Sequence, residues 1–118
     1  MVLRISQSSI ESINATQLAE LRIRLCRLFA EDLPSVASSM DEGARRRFVE
    51  ASIAFADENG AKLESTAWRI VCLASLVGGV DKLYNPHIYR FLTWRNDAFD
   101  ESVSVLLGIV IRRLSEKQ

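Results

Sequence analysis

The sequence predicts an all-α fold, a compact bundle of about five helices forming a single domain over residues 1–118. Three observations carry this expectation. Apolar residues recur at three- and four-residue intervals along most of the chain, the period of an amphipathic helix. Helix start and stop signals interrupt that period at Asn59-Gly60, Gly78-Gly79 and Asn85-Pro86. No segment reads convincingly as a strand, an internal repeat or a low-complexity tract. At 118 residues the chain can bury a core without metal or disulfide help and is too short for two domains.

The first helix is announced by Ser8 and Glu11, whose spacing makes a capping box. Ile10, Ile13, Leu18, Leu21, Leu25, Leu28 and Phe29 then form one apolar stripe, with a kink or break expected at Asn14-Ala15-Thr16, where Thr16 can also cap. Glu20, Arg22, Arg24, Arg27 and Glu31 take the solvent side. Leu33-Pro34 ends the helix, because the residue before a proline resists the helical region. Residues 35–39 read as a polar connection.

Ser39 and Glu42 suggest a second capping box, followed by a stripe of Ala44, Phe48, Val49, Ala51, Ser52, Phe55 and Ala56 that stops at Asn59-Gly60. The third helix is expected from Ser65 or Thr66 to Val77. It is apolar nearly all round after Arg69, which predicts a central position in the bundle. Residues 80–85 read as a loop or single turn.

Asn85 as cap and Pro86 at the first helical position start a short helix with Ile88, Tyr89, Phe91, Leu92 and Trp94. The last helix, from about Glu101 to Ser115, is expected to be capped by Asp97 or Asp100. Val103, Leu106, Leu107, Val110, Ile111 and Leu114 should turn inward. Gly108 costs about 1 kcal/mol against alanine inside a helix, which predicts the close approach of a neighbouring helix as compensation.

Composition removes several function classes. Fifteen Lys and Arg balance fifteen Asp and Glu, so the basic excess of a nucleic-acid binder is missing. The two cysteines, Cys26 and Cys72, sit in apolar helical patterns, lack metal-ligand spacing and read as buried thiols of a reducing compartment. The N-terminus lacks the apolar run of a signal peptide, and the longest apolar stretch, residues 103–111, falls far short of the roughly 20 residues that span a bilayer. A cytoplasmic location is the expectation, with no membrane and no nucleic acid as partner.

The inventory for catalysis is thin. The single histidine, His87, has no Ser, Cys or Asp at a recognised spacing, so the sequence predicts no catalytic, metal or cofactor residues and no enzyme. The acidic group Asp97, Asp100 and Glu101 reads as capping and solvation of a helix start. Two features point instead to a protein partner. Tyr84, His87, Tyr89, Phe91 and Trp94 crowd into eleven residues, more than a short helix can bury on one face. Tyr and Trp anchor interfaces well. Arg45 and Arg46, in the run Arg45-Arg46-Arg47, offer guanidinium forks for an acidic patch. Tyr84, His87, Tyr89, Trp94, Arg45 and Arg46 are therefore the candidate interface residues; a homodimer is left open.

The order of features also resembles a group of small all-helical bacterial proteins encoded beside type VI secretion spike and effector genes. The resemblance is carried by Leu3-Arg4-Ile5-Ser6-Gln7-Ser8-Ser9-Ile10-Glu11, by the run Arg24 to Phe29, by Arg47-Phe48-Val49-Glu50-Ala51, and by Glu64-Ser65-Thr66-Ala67-Trp68 leading to Leu76-Val77-Gly78-Gly79. It covers roughly residues 3–80. Relatives commonly have an acidic, proline-containing loop after the third helix, and here residues 80–86 fill that place less acidically. The last third of the chain departs most from the pattern. The resemblance implies a non-catalytic accessory, a co-chaperone or adaptor that binds a secreted effector or the adaptor loading it. The alternative it leaves open is a cytoplasmic immunity protein that neutralises a cognate toxin by binding it.

Overall fold

The computed structural model describes residues 15–95 and 97–116. Among them stand six α-helices, one 3-10 helix and no strand, so the predicted all-α bundle is the fold observed. The Ser8–Glu11 capping box and the start of the first apolar stripe lie outside the described residues.

Helix α1 (Ala15–Asp32) buries Leu21, Leu25 and Phe29, three positions four residues apart that stack on one face. Thr16 lies inside it. The helix stops before Pro34, as expected. Residues 34–37 do not form a loop, however. Pro34, fixed in a helix-compatible φ, opens a single turn, α2 (Pro34–Ala37), that buries Ala37.

Helix α3 (Glu42–Glu58) is capped by Asp41, whose carboxylate accepts the Ala44 N–H at 2.7 Å. This corrects the expected Ser39–Glu42 box. Ser39 is two residues too early to reach the free N–H groups and donates its hydroxyl to the Val36 carbonyl at 2.6 Å. Val49, Ser52, Ile53, Phe55 and Ala56 face inward, while Ala51, expected on that face, is exposed. Phe48 lies flat against Phe29 of α1, with ring centroids 5.2 Å apart.

Helix α4 (Glu64–Val77) is the central helix that its all-round apolar pattern predicts. It buries Thr66, Ala67, Trp68, Ile70, Val71, Leu73 and Ala74 and packs against α1, α3 and α6. It ends on Gly78, whose φ of +102° is open to glycine at little cost; the N–H groups of Gly78 and Gly79 both reach the Ala74 carbonyl.

The 3-10 helix (Val80–Tyr84) buries Leu83 and leads to Asn85, which caps α5 (Pro86–Thr93) by accepting the His87 N–H at 3.0 Å. Helix α6 (Phe99–Glu116) begins two residues earlier than predicted, and Asp100 lies inside it instead of capping it. Phe99, Ser102 and Val103 are buried, and Leu106, Leu107 and Val110 are partly so. Ile111 and Leu114, predicted to turn inward, are 49% and 41% exposed. The last turns of α6 find no helix to lie against among the described residues. For the same reason Gly108 does not permit a close intrachain approach: a β-carbon placed there meets nothing within 4 Å.

Among the described residues, two ion pairs tie the first helix to the body. Arg22 meets Glu50 of α3 at 3.0 Å, and Arg24 meets the buried Glu64 of α4 at 3.4 Å. Among the described residues no helix is long and apolar enough to cross a membrane.

Candidate protein-docking groove

Helices α5 and α6 pack side by side and leave an open groove of about 510 Å³ between them. Its α5 wall carries His87, Arg90, Phe91 and Trp94, spaced so that a 3.6-residue helix sets them on one side. Its α6 wall carries Glu101, Ser102 and Val105, with Ala98 just before the helix at the same kind of spacing, and Arg95 stands at the connection. Trp94 is 72% exposed, far more than an indole retains when it serves the core. Phe91 and Val105 are also open to solvent. The result is an apolar trough with charged edges.

The electrostatics of that trough are lopsided. Arg90 and Arg95 are exposed and enter no ion pair among the described residues, and Glu101 is the one carboxylate among the lining side chains. His87 and Ser102 line the groove together, yet no hydrogen bond joins the imidazole to Ser102 or Glu101. Among the described residues no cluster of His, Cys, Asp and Glu has the makings of a metal site.

The sequence-predicted interface residues fall into three groups. His87 and Trp94 both line the groove. Tyr84 and Tyr89 are turned away from it and pack on α3. Their rings stack at 5.3 Å, both meet Phe55 edge-on, and the Tyr89 hydroxyl donates to Asn59 Oδ1 at 2.9 Å. Tyr84 keeps half its surface exposed, with its hydroxyl 3.4 Å from Glu58. Arg45 is bound within the chain, donating through Nη1 to the carbonyl oxygens of Ala37 (3.0 Å) and Met40 (2.9 Å) at the end of α2. Arg46 is exposed on α3 and does not line the groove.

Arg90, Arg95, Glu101 and Val105 were not singled out for the site from sequence. The signal was present in the helical spacing of His87, Phe91 and Trp94 and of Ala98, Ser102 and Val105. It needed the knowledge that α5 and α6 lie next to each other.

The acidic group Asp97, Asp100 and Glu101 is divided. Asp97 is exposed, Glu101 faces the groove, and Asp100 serves the fold. Its carboxylate accepts the N–H groups of Lys62 (2.9 Å) and Leu63 (3.1 Å) and the Thr66 hydroxyl, so it caps α4 from another helix. The cysteines are half-buried, short of the full burial expected. Burial pushes the Cys72 thiol up to about 11, reinforced by Asp32 and opposed by Arg69. Burial likewise raises the Cys26 thiol, against the pull of Arg22.

The chain matches no protein-family model, and neither the curated proteins nor the solved structures include one that matches it.

Proposed function

We propose that this chain is a non-catalytic protein-binding accessory that captures its partner in the α5–α6 groove. The observation that supports the reading best is Trp94, an indole 72% exposed at the mouth of an apolar trough. Leaving that much aromatic surface in water is unfavourable unless something covers it, and buried aromatics with arginine beside them supply much of the binding energy at protein interfaces. Arg90 and Arg95, free of intrachain carboxylates among the described residues, favour a partner segment that is apolar at its centre and acidic at its edge.

The partner we propose is a secreted effector of a type VI system, or the adaptor that loads it. This part of the reading rests on the sequence resemblance over roughly residues 3–80, with cytoplasmic action as its corollary. The groove edge favours the accessory role over toxin neutralisation of a nuclease. An inhibitor that plugs a basic nuclease cleft needs an acidic face, and here two arginines outweigh Glu101.

The test is affinity capture from the native host with the tagged chain, beside a Trp94→Ala variant of unchanged melting temperature. Recovery of an effector with its adaptor or spike protein by the parent, lost with the variant, is the expected result. A toxic domain recovered alone, with growth rescued by co-expression, establishes the immunity role instead. Equal recovery by parent and variant overturns the groove as the docking site.

A further inference from the structure

We propose that two copies of this chain associate through antiparallel pairing of their α6 helices. The proposal rests on an exposed stripe of α6, argued from charge and shape on that helix alone, although Glu101 and Val105 of the stripe also line the groove. Glu101, Val105, Gly108 and Arg112 follow one another at intervals of four, three and four, so at 3.6 residues per turn they share an arc of about 60°. All four are exposed. Val105 retains 48% of its surface, and among the described residues nothing lies within 4 Å of a β-carbon placed at Gly108. Neither Glu101 nor Arg112 has an ion-pair partner among the described residues.

This stripe is complementary to its own reverse. Turn a second α6 end for end about the point midway between Leu106 and Leu107. Glu101 then stands opposite the partner's Arg112, and Val105 opposite the partner's Gly108. A two-fold axis makes each contact twice, giving two cross-chain ion pairs and two valine side chains seated in glycine gaps. A helix side without a β-carbon lets a second backbone come close, which is the compensation that Gly108 lacks inside one chain. Ile109, 38% exposed beside the stripe, adds apolar surface to the contact. Size and charge thus agree on a single orientation and a single register. Parallel pairing would instead set Glu101 against Glu101 and Arg112 against Arg112. The stripe shares Glu101 and Val105 with the groove, so the second α6 runs along the α6 side of that trough.

Sedimentation equilibrium on the purified full chain, from about 1 µM to 1 mM, reads the association directly. The expected result is a mass rising from one chain to two across this range. Glu101→Arg and Arg112→Glu each set like charges opposite one another twice, and each weakens association roughly tenfold or more. Mixing these two variants restores pairing, because every contact is then between opposite charges; the double variant pairs with itself again. Gly108→Leu fills the gap and weakens association to a similar extent, and Gly108→Ala does so less. Circular dichroism melts accompany each variant. The smaller Gly108→Ala change, in open space within the monomer, serves wherever leucine disturbs the fold. A parent chain that stays monomeric throughout overturns the proposal. So do charge-reversed variants that pair as well as the parent, or a mixture that fails to pair.

Discussion

The Asp100 carboxylate, in the first turn of α6, accepts the hydroxyl hydrogen of the fully buried Thr66 in the first turn of α4. It also accepts the N–H groups of Lys62 and Leu63, the two residues that lead into α4, whose own cap position holds a leucine with no side-chain oxygen. One side chain therefore caps the central helix and fixes where α6 leaves the body. Asp100→Ala is expected to lower unfolding stability by about 2 kcal/mol. Thr66→Val should cost about 1 kcal/mol, and the double variant should cost less than the two together. Urea denaturation of the four chains measures all three quantities.

Trp94 and Tyr89 should separate cleanly. Trp94→Ala is expected to leave stability within about 0.5 kcal/mol of the parent, since most of the indole already faces water. Tyr89→Phe removes the hydroxyl that meets Asn59 and should cost about 1 kcal/mol. Tyr89→Ala also strips the ring from Phe55 and Tyr84 and should cost more. Thermal melts of the three variants check the order; an equal loss for Trp94→Ala and Tyr89→Ala would contradict it.

The arginine run should prove just as uneven. Arg45→Ala deletes two hydrogen bonds to the carbonyl oxygens that close α2, and a loss of about 1–2 kcal/mol is expected. Arg46→Ala, at an exposed position, should stay within about 0.5 kcal/mol. Denaturation midpoints of the two variants decide the matter.

The glycines at the ends of α4 and in α6 predict opposite signs. Gly78 has a φ of +102°, so Gly78→Ala is strained and should destabilise the chain by about 1 kcal/mol or more. Gly108→Ala places a methyl group in open space within an ordinary helix and should stabilise the monomer by up to about 1 kcal/mol. The comparison is made at concentrations low enough to keep the chain monomeric.

Cys72 ties stability to alkaline pH. Its thiol is raised from 9.0 to about 11 in the folded chain, so the folded state holds the proton more tightly than the unfolded state does. The contribution is complete below pH 9 and is lost as the pH rises from there through 11. Cys72→Ser should flatten that part of the stability curve. The same shift keeps the thiol protonated at neutral pH, so alkylation of Cys72 in the native chain should be slow and should quicken on unfolding.

The limits of the sequence are visible in particular residues. The pattern of Asn85-Pro86 was enough to start α5, because a cap and the first helical residue act within three positions of each other. At Ser39 and Glu42 an equally good local pattern lost to Asp41, two residues nearer the free N–H groups. Asp100 reads as a local cap from its surroundings, and only its distance from Leu63 in space, 37 positions away in sequence, shows the real role. Of the aromatic crowd the sequence could say that one helix face cannot hold it all. Which rings were left over was set by α3 and its cap residue, where Phe55 and Asn59 hold Tyr89, while Trp94 stays 72% exposed.

The sequence by itself determined the helical class, the central place of α4, and the boundaries set by Pro34, Gly60, Gly78 and Pro86. These depend on backbone preferences and on apolar periodicity, both of which act over a few neighbouring residues. Only the tertiary structure decided that Asp100 caps α4, that Arg45 closes α2, and that α5 and α6 meet in an open groove. It alone also showed that, among the described residues, the end of α6 is left exposed. Asp100 reaches its partners across 34 to 38 positions of chain, and even the short-range meetings depend on how separate elements are placed in space, which no local pattern encodes.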